Sequence, residues 1–292
     1  MLDSSMLMFL AAPFAASLIL TGIHAYLGVH VVERGVIFVD LSLAQIAALG
    51  AAIAILLPMT GGDPHAPSVY WVSLGFTFIG AAVFSTIRGQ RARIPQEAII
   101  GICYAVASAG AILAMSKATS ESEHLKDMLV GNILAVSWPE VGKTAALYSA
   151  IGLFHYVFRR QFLAISLNQH TAEHQGLSVR WWDFLFYSSF GFVVTSSVSI
   201  AGVLLVFCYL IVPSVGAMLY ADTVGRRLAI GWTMGVIVSA LGVYLSLKLD
   251  LPTGATIVCT FGAVLALMAA VRPFVRRSVT GGTLSAAASP LT

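Results

Sequence analysis

The sequence predicts an all-α, polytopic membrane protein with about nine spanning helices. Three observations carry that prediction. Hydrophobic residues make up 58% of the 292 residues and charged residues only 10%, against about 25% charged in soluble domains. The mean hydropathy is +0.89, too apolar for a surface kept in water. The apolar residues are also gathered into runs of about 20, the length that crosses a bilayer as a helix. The net charge of +3 is small and is not the signature of a nucleic-acid partner.

The runs cover residues 6–29, 35–57, 69–87, 97–115, 141–158, 183–200, 202–220, 227–247 and 254–271. Before the first, Met1-Leu2-Asp3-Ser4-Ser5 offers neither a basic region nor a small-residue cleavage site, so this run reads as a retained span and not a signal peptide. The second run contains Asp40-Leu41-Ser42-Leu43-Ala44-Gln45. A carboxylate inside a spanning helix is expensive, which leaves Asp40 as a metal ligand, a packing partner for an arginine, or a solvated helix terminus. Residues 128–138 are apolar but too short to cross, which suits a re-entrant or half helix. The break at 199–202 separates the sixth run from the seventh, and Pro213 should bend the seventh. Gly231 and Gly235 form a G-x-x-x-G with Ser239 one turn on, a packing face by default and a dimer contact in the bolder reading. Residues 1–277 make one transmembrane domain, and 278–292, rich in Ser, Thr, Ala and Gly, read as a disordered tail.

Lysine and arginine placement orients the spans. Basic residues gather at Arg34, at Arg88, Arg91 and Arg93, at Arg159, Arg160 and Arg180, at Arg226 and Arg227, and at Arg272, Arg276 and Arg277. The alternate connections are poor in them: 58–68 and 199–202 contain none, Lys248 stands next to Asp250, and 117–126 is mixed, with Glu121 and Glu123 between Lys117 and Lys126. The expected arrangement has the N-terminus outside and the C-terminus in the cytoplasm.

Catalytic constellations are lacking. Gly142-Lys143-Thr144 ends like a phosphate-binding loop, but Ser137 holds the first glycine position and Trp138 and Pro139 fill the middle. The three cysteines, Cys103, Cys208 and Cys259, form no C-x-x-C and read as small buried side chains. The seven histidines place no H-x-x-x-H pair on one face of a span. His24 and His30 flank the inner half of the first span. His65 and His124 fall in outer connections, where His124 stands beside Glu121, Glu123 and Asp127 in a solvated or cation-gathering loop. His170 and His174 lie four apart in a long polar inner connection, 163–180. There Ala172-Glu173-His174-Gln175-Gly176 reads as a short helix stopped by glycine, a compact knob for a protein partner.

Four segments together resemble one family. Residues 129–137 (Leu-Val-Gly-Asn-Ile-Leu-Ala-Val-Ser) are similar to a G-N-I-L segment, 172–183 to an A-x-x-x-G-L-x-V coupling loop, 210–214 to an L-I-x-P-A helix, and 249–256 to a D-L-P-x-G-A turn. In this order and spacing they resemble the permease subunits of zinc/manganese/iron-type ABC importers, over about residues 20–271. The resemblance implies a fold like that of vitamin B12-type importers, a permease homodimer, two cytoplasmic ATPase subunits and an external metal-binding protein. It makes the 166–180 loop, with Ala172, Glu173, His174 and Gly176, the element coupled to the ATPase. The family's second span reads D-x-x-x-H, a carboxylate and an imidazole one turn apart. Here Asp40 is kept but its partner position is Ala44, and Gln45, about 500° on from Asp40, points roughly 140° away.

The expectation is therefore the multi-pass subunit of an ATP-driven importer in a bacterial plasma membrane, carrying zinc or manganese, with no catalytic residues and no bound cofactor of its own. Asp40 and Asp250 are the candidate metal-path or gate residues, Asp250 alternatively a cap of the outer turn. A permease for a metal chelate or other small solute, or an ion-driven secondary carrier, is the alternative; a carrier would normally show several intramembrane acids.

Overall fold

The computed structural model describes residues 4–60, 66–87, 94–116 and 133–286. His65, the cluster around His124 and most of 128–138 lie outside the described residues. The rest folds as ten α-helices: α1 (Ser4–Arg34), α2 (Val39–Leu56), α3 (Pro67–Ile87), α4 (Gln96–Met115), α5 (Trp138–Val157), α6 (Arg159–Leu167), α7 (Gln169–His174), α8 (Val179–Met218), α9 (Val224–Leu249) and α10 (Thr253–Ala286). No strand occurs among the described residues, as expected where each backbone group must be satisfied within its own segment.

Seven of these helices are long and apolar enough to cross a membrane: α1, α2, α3, α4, α8, α9 and the first part of α10, Thr253–Pro273. At 40 residues, α8 is two spans joined at Gly202, whose φ of 76° and ψ of 160° break the helical path. That backbone geometry is open to glycine and strained for other residues. The side-chain pairings show that the chain turns back there. On the first limb Asp183 meets Arg34 and Ser197 meets His24, so this limb runs antiparallel to α1. On the second limb the Ser214 hydroxyl reaches the Ala25 carbonyl at 3.4 Å. Just beyond it, Arg227 ties the Ala221 carbonyl to Glu33. The break expected at 199–202 is thus a reversal. Pro213, expected to bend its helix, lies inside the second limb.

With the two limbs counted separately and α5 added, nine helices of spanning length are described. The 20-residue α5 is the most polar of them, with Glu140, Lys143 and His155 in its length. Gly142, Lys143 and Thr144 lie inside this helix and cradle nothing. Its start is fixed by Glu140, which accepts from the Ser137 backbone N–H at 2.8 Å and the Ser137 hydroxyl at 2.7 Å.

Helices α1, α2 and α8 form the interior, and α4 and α10 the periphery: 72% of the α2 span is buried against 22% for each of those two. Gly231 and Gly235 on α9 face inward, Gly235 onto Thr21 and Gly231 onto Ala25 and Pro213. Their small-residue face therefore packs within the subunit. Cys208 is buried as expected, Cys103 is half-buried and Cys259 is exposed; a thiol on an apolar outer face loses nothing there. Helix α10 is described as far as Ala286.

Candidate functional site

One end of the bundle gathers the C-terminus of α1, the start of α2, the pair α6–α7, the start of α8 and the start of α9. The elbow from α1 to α2 is tight. Gly35, at φ 67°, donates to the Val32 carbonyl at 3.1 Å, Val36 donates to Val31 at 3.2 Å, and Val39 donates to Val36 at 3.1 Å. The elbow sets Asp40 in the first turn of α2, facing the interior.

Asp40 is 1% exposed, and neither carboxylate oxygen has a hydrogen-bond partner. Of the three readings the sequence left open, two fall. A solvated terminus would be exposed. The arginine within reach along the chain, Arg34, is paired with Asp183 at 2.5 Å, both side chains fully buried. Among the described residues, Asp40 is left as a buried carboxylate without a hydrogen-bond partner. Ala44, one turn on, is buried at 1% exposure and has no ligating atom. Ser42 is buried with its hydroxyl unpartnered, but it projects about 200° around the helix from Asp40. Among the described residues no group of three or more His, Cys, Asp or Glu side chains is placed to hold a metal ion.

A second polar feature runs up the inside of α1, α5 and α8. Arg34 donates from Nε to the Ser166 hydroxyl at 2.8 Å and lies 3.9 Å from the Phe186 ring centroid. Ser166 also bonds His30 Nδ1 at 2.8 Å. Higher up, His155 bonds the Ser189 hydroxyl at 2.8 Å and the Tyr26 hydroxyl at 3.3 Å. Beyond these, Tyr148 and His24 share Ser197. The Arg34–Asp183 ion pair closes the base of this column, and the side chains above it hold one another by hydrogen bonds and ring contacts. Of its members only His24, His30 and Arg34 stand out in the sequence, Arg34 merely as an orienting charge. Arg34 and Asp183 are 149 residues apart, and only the fold brings them together.

The knob expected at 172–176 is present as α7 and the turn after it. Asn168 caps it, accepting from the Thr171 N–H at 3.0 Å. Gly176, at φ 81°, ends it, and Leu177 donates back to the Ala172 carbonyl at 3.1 Å. Ala172, grouped in the sequence with the coupling residues, is fully buried against Ile165 and Val179 and anchors the knob from inside. Glu173, His174 and Gly176 form its outer surface. Glu173 accepts from Gln169 at 2.9 Å, and the His170 and His174 rings lie 4.4 Å apart.

Asp250 lies at the other end of the bundle. It is exposed and occupies the C-cap of α9 at φ 53°, ψ 48°, its N–H donating to the Ser246 carbonyl. Ser246 closes the turn by bonding the Leu251 carbonyl and Thr253, both at 2.7 Å. This is the cap role the sequence offered as its alternative. Since α9 starts at the end that holds Asp40 and rises about 1.5 Å per residue over its 26 residues, Asp250 cannot join Asp40 in one site.

Several known proteins share this arrangement. A manganese transport system membrane protein, MntC of Listeria innocua, is 29% identical over 196 residues, 65% of this chain and 69% of its own length. The chelated iron transport system membrane protein YfeC of Yersinia pestis is 27% identical, over 83% of this chain and 79% of its own. Among solved structures, PsaBC from Streptococcus pneumoniae superposes with a TM-score of 0.74 at 23% identity, covering 89% of this chain and 90% of that one. A putative metal-chelate type ABC transporter in an inward-facing conformation superposes at 0.69 and 16% identity, covering 92% of this chain and 89% of that one. The ABC 3 transport family matches residues 6–272. By that match over nearly its whole length, the chain belongs to the ABC 3 transport family.

Proposed function

We propose that the protein is the membrane-spanning subunit of an ATP-driven importer for a divalent transition metal, manganese first and iron second. The observation that carries this reading is the pairing of a polar, exposed knob with a buried, unpartnered carboxylate at the same end of a family-typical bundle. The relatives named for manganese and iron transport support the cargo class, and they move the expectation from zinc or manganese toward manganese or iron.

In this reading the arginine-rich end faces the cytoplasm of a bacterial plasma membrane and the N-terminus faces outside. A cytoplasmic ATPase subunit binds the outer surface of α7 and hydrolyses ATP; an external binding protein delivers the cargo. A second copy of the permease packs along α5, whose outward residues Gly142, Ala146, Ser149 and Ala150 are small enough to allow close helix approach. Asp40 lines the cargo path, and Asp250 serves the outer turn.

A chelated metal is the second reading, favoured by Ala44. With no imidazole beside Asp40, a cargo that keeps most of its own ligands needs less from the wall. A secondary carrier is disfavoured, because the other buried acid near that end, Asp183, is committed to Arg34.

Co-purification tests the assembly. An ATPase subunit recovered with the native chain and lost with Gly176→Trp, while the permease yield holds, supports the importer; equal recovery with both chains overturns the docking site. A side chain at position 176 would enter open space but on a left-handed backbone, so the substitution disturbs the knob and not the bundle.

A further inference from the structure

We propose that Arg34 is the joint through which movement of the α7 knob reaches the elbow that carries Asp40, with Ser166 as its positioning residue. The proposal rests on the reading of α7 as the docking element.

The knob itself has few anchors. Helix α7 is six residues long and is anchored by one small apolar cluster, Ile165, Ala172 and Val179, which belongs to the knob and its own flanks. Its firm connections to the rest of the bundle are made on either side of it. Ser166 is the second-last residue of α6, just before the knob, and Asp183 lies in the opening turns of α8, just after it. Both are tied to the same side chain. Arg34 donates from Nε to Ser166 at 2.8 Å and from Nη1 to Asp183 at 2.5 Å, with its plane over Phe186. A rigid planar fork of this kind fixes the angle between its two partners, which a flexible lysine would not. Ser166 is held a second time by His30, one turn back on α1.

From Arg34 the connection onward is short and stiff. The elbow is internally hydrogen-bonded, and Asp40 follows six residues later in the first turn of α2. A displacement of the knob that moves Ser166 and Asp183 therefore turns the end of α1, and the elbow passes that turn to the α2 carboxylate. Contiguity of this kind defines a mechanical route, and coupling itself is read from function.

The test compares two buried serines in proteoliposomes containing the permease, its ATPase and its binding protein, with Mn²⁺ as the probe. Ser166→Ala removes the hydroxyl that Arg34 and His30 share and leaves the Arg34–Asp183 pair in place. Ser239→Ala removes a similarly buried hydroxyl that bonds Tyr209 and the Gly235 carbonyl, away from Arg34 and its partners. Expected for Ser166→Ala are native permease recovery, native basal ATPase and a fall of about fivefold or more in Mn²⁺ moved per ATP hydrolysed, a coupling loss in the usual range. Ser239→Ala should keep the native ratio, and Ser166→Thr should restore most of it. A native ratio in Ser166→Ala overturns the proposal, and so does an equal loss in both alanine variants. If the native chain itself recruits no ATPase, it is the docking reading that fails, and this shows before any variant is compared.

Discussion

Two buried charged groups lie six residues apart on either side of the α1–α2 elbow, and their treatment by the fold is opposite. Arg34 is enclosed by Asp183, Ser166 and the face of Phe186. Asp40 is equally buried, and among the described residues neither of its oxygens has a hydrogen-bond partner. The first is an interaction in which an opposite charge, hydrogen bonds from Nε and Nη1, and ring packing act together. The second is an unfinished one, and a fold tolerates an unsatisfied buried carboxylate where the carboxylate has work to do. The contrast separates a pair that holds the bundle together from the residue proposed to face the cargo.

The largest effect that would break this contrast is on folding. Asp183→Ala should leave a buried guanidinium uncompensated and destabilise the permease by about 3–5 kcal/mol, while replacing both members with apolar residues recovers much of that loss. Detergent-solubilised yield and melting temperature check it; equal stability of Asp183→Ala and the native chain would show that the pair is not a structural lock. Asp40→Asn should do the reverse. Removing an unpartnered charge leaves the melting temperature level or raises it, whereas Mn²⁺ uptake falls by roughly tenfold or more, as expected when a ligating group is lost. Native uptake in this variant would take Asp40 off the path.

The smallest effect concerns selectivity. Ala44→His places an imidazole one turn from Asp40 on the same helix face, in a position now 1% exposed, so some overpacking, about 1–3 kcal/mol, accompanies it. A shift of competition profiles toward bare divalent ions would show that Ala44 sets the cargo's coordination state. An unchanged profile would assign selectivity to the binding protein.

How much of this is legible in the sequence varies by feature. Apolar run lengths give the spans, and the arginine alternation marks the end that the pairs Arg34–Asp183 and Glu33–Arg227 bind together. The knob is readable because a capping residue, a short polar run and a left-handed glycine are local signals. Ala172 is misplaced among the surface residues for the same reason: a local pattern says where a turn lies but not which side of it is covered. Asp183, Ser166, Tyr148 and His155 give no signal, because each takes its meaning from a partner on another helix. Asp250 reads two ways until its αL backbone and exposure choose the cap.

By itself, then, the sequence determined that this chain is a helical bundle in a bilayer, with a coupling-like knob and one costly carboxylate in its second span. Composition and periodicity act over a turn or two of helix, and these features need nothing longer. Only the tertiary structure decided that Asp183 takes the arginine, that Asp40 has no hydrogen-bond partner among the described residues, and that Arg34 ties both flanks of the knob to α1. Those outcomes depend on which side chains meet across distances of more than a hundred residues, where burial turns a missing or present partner into several kcal/mol.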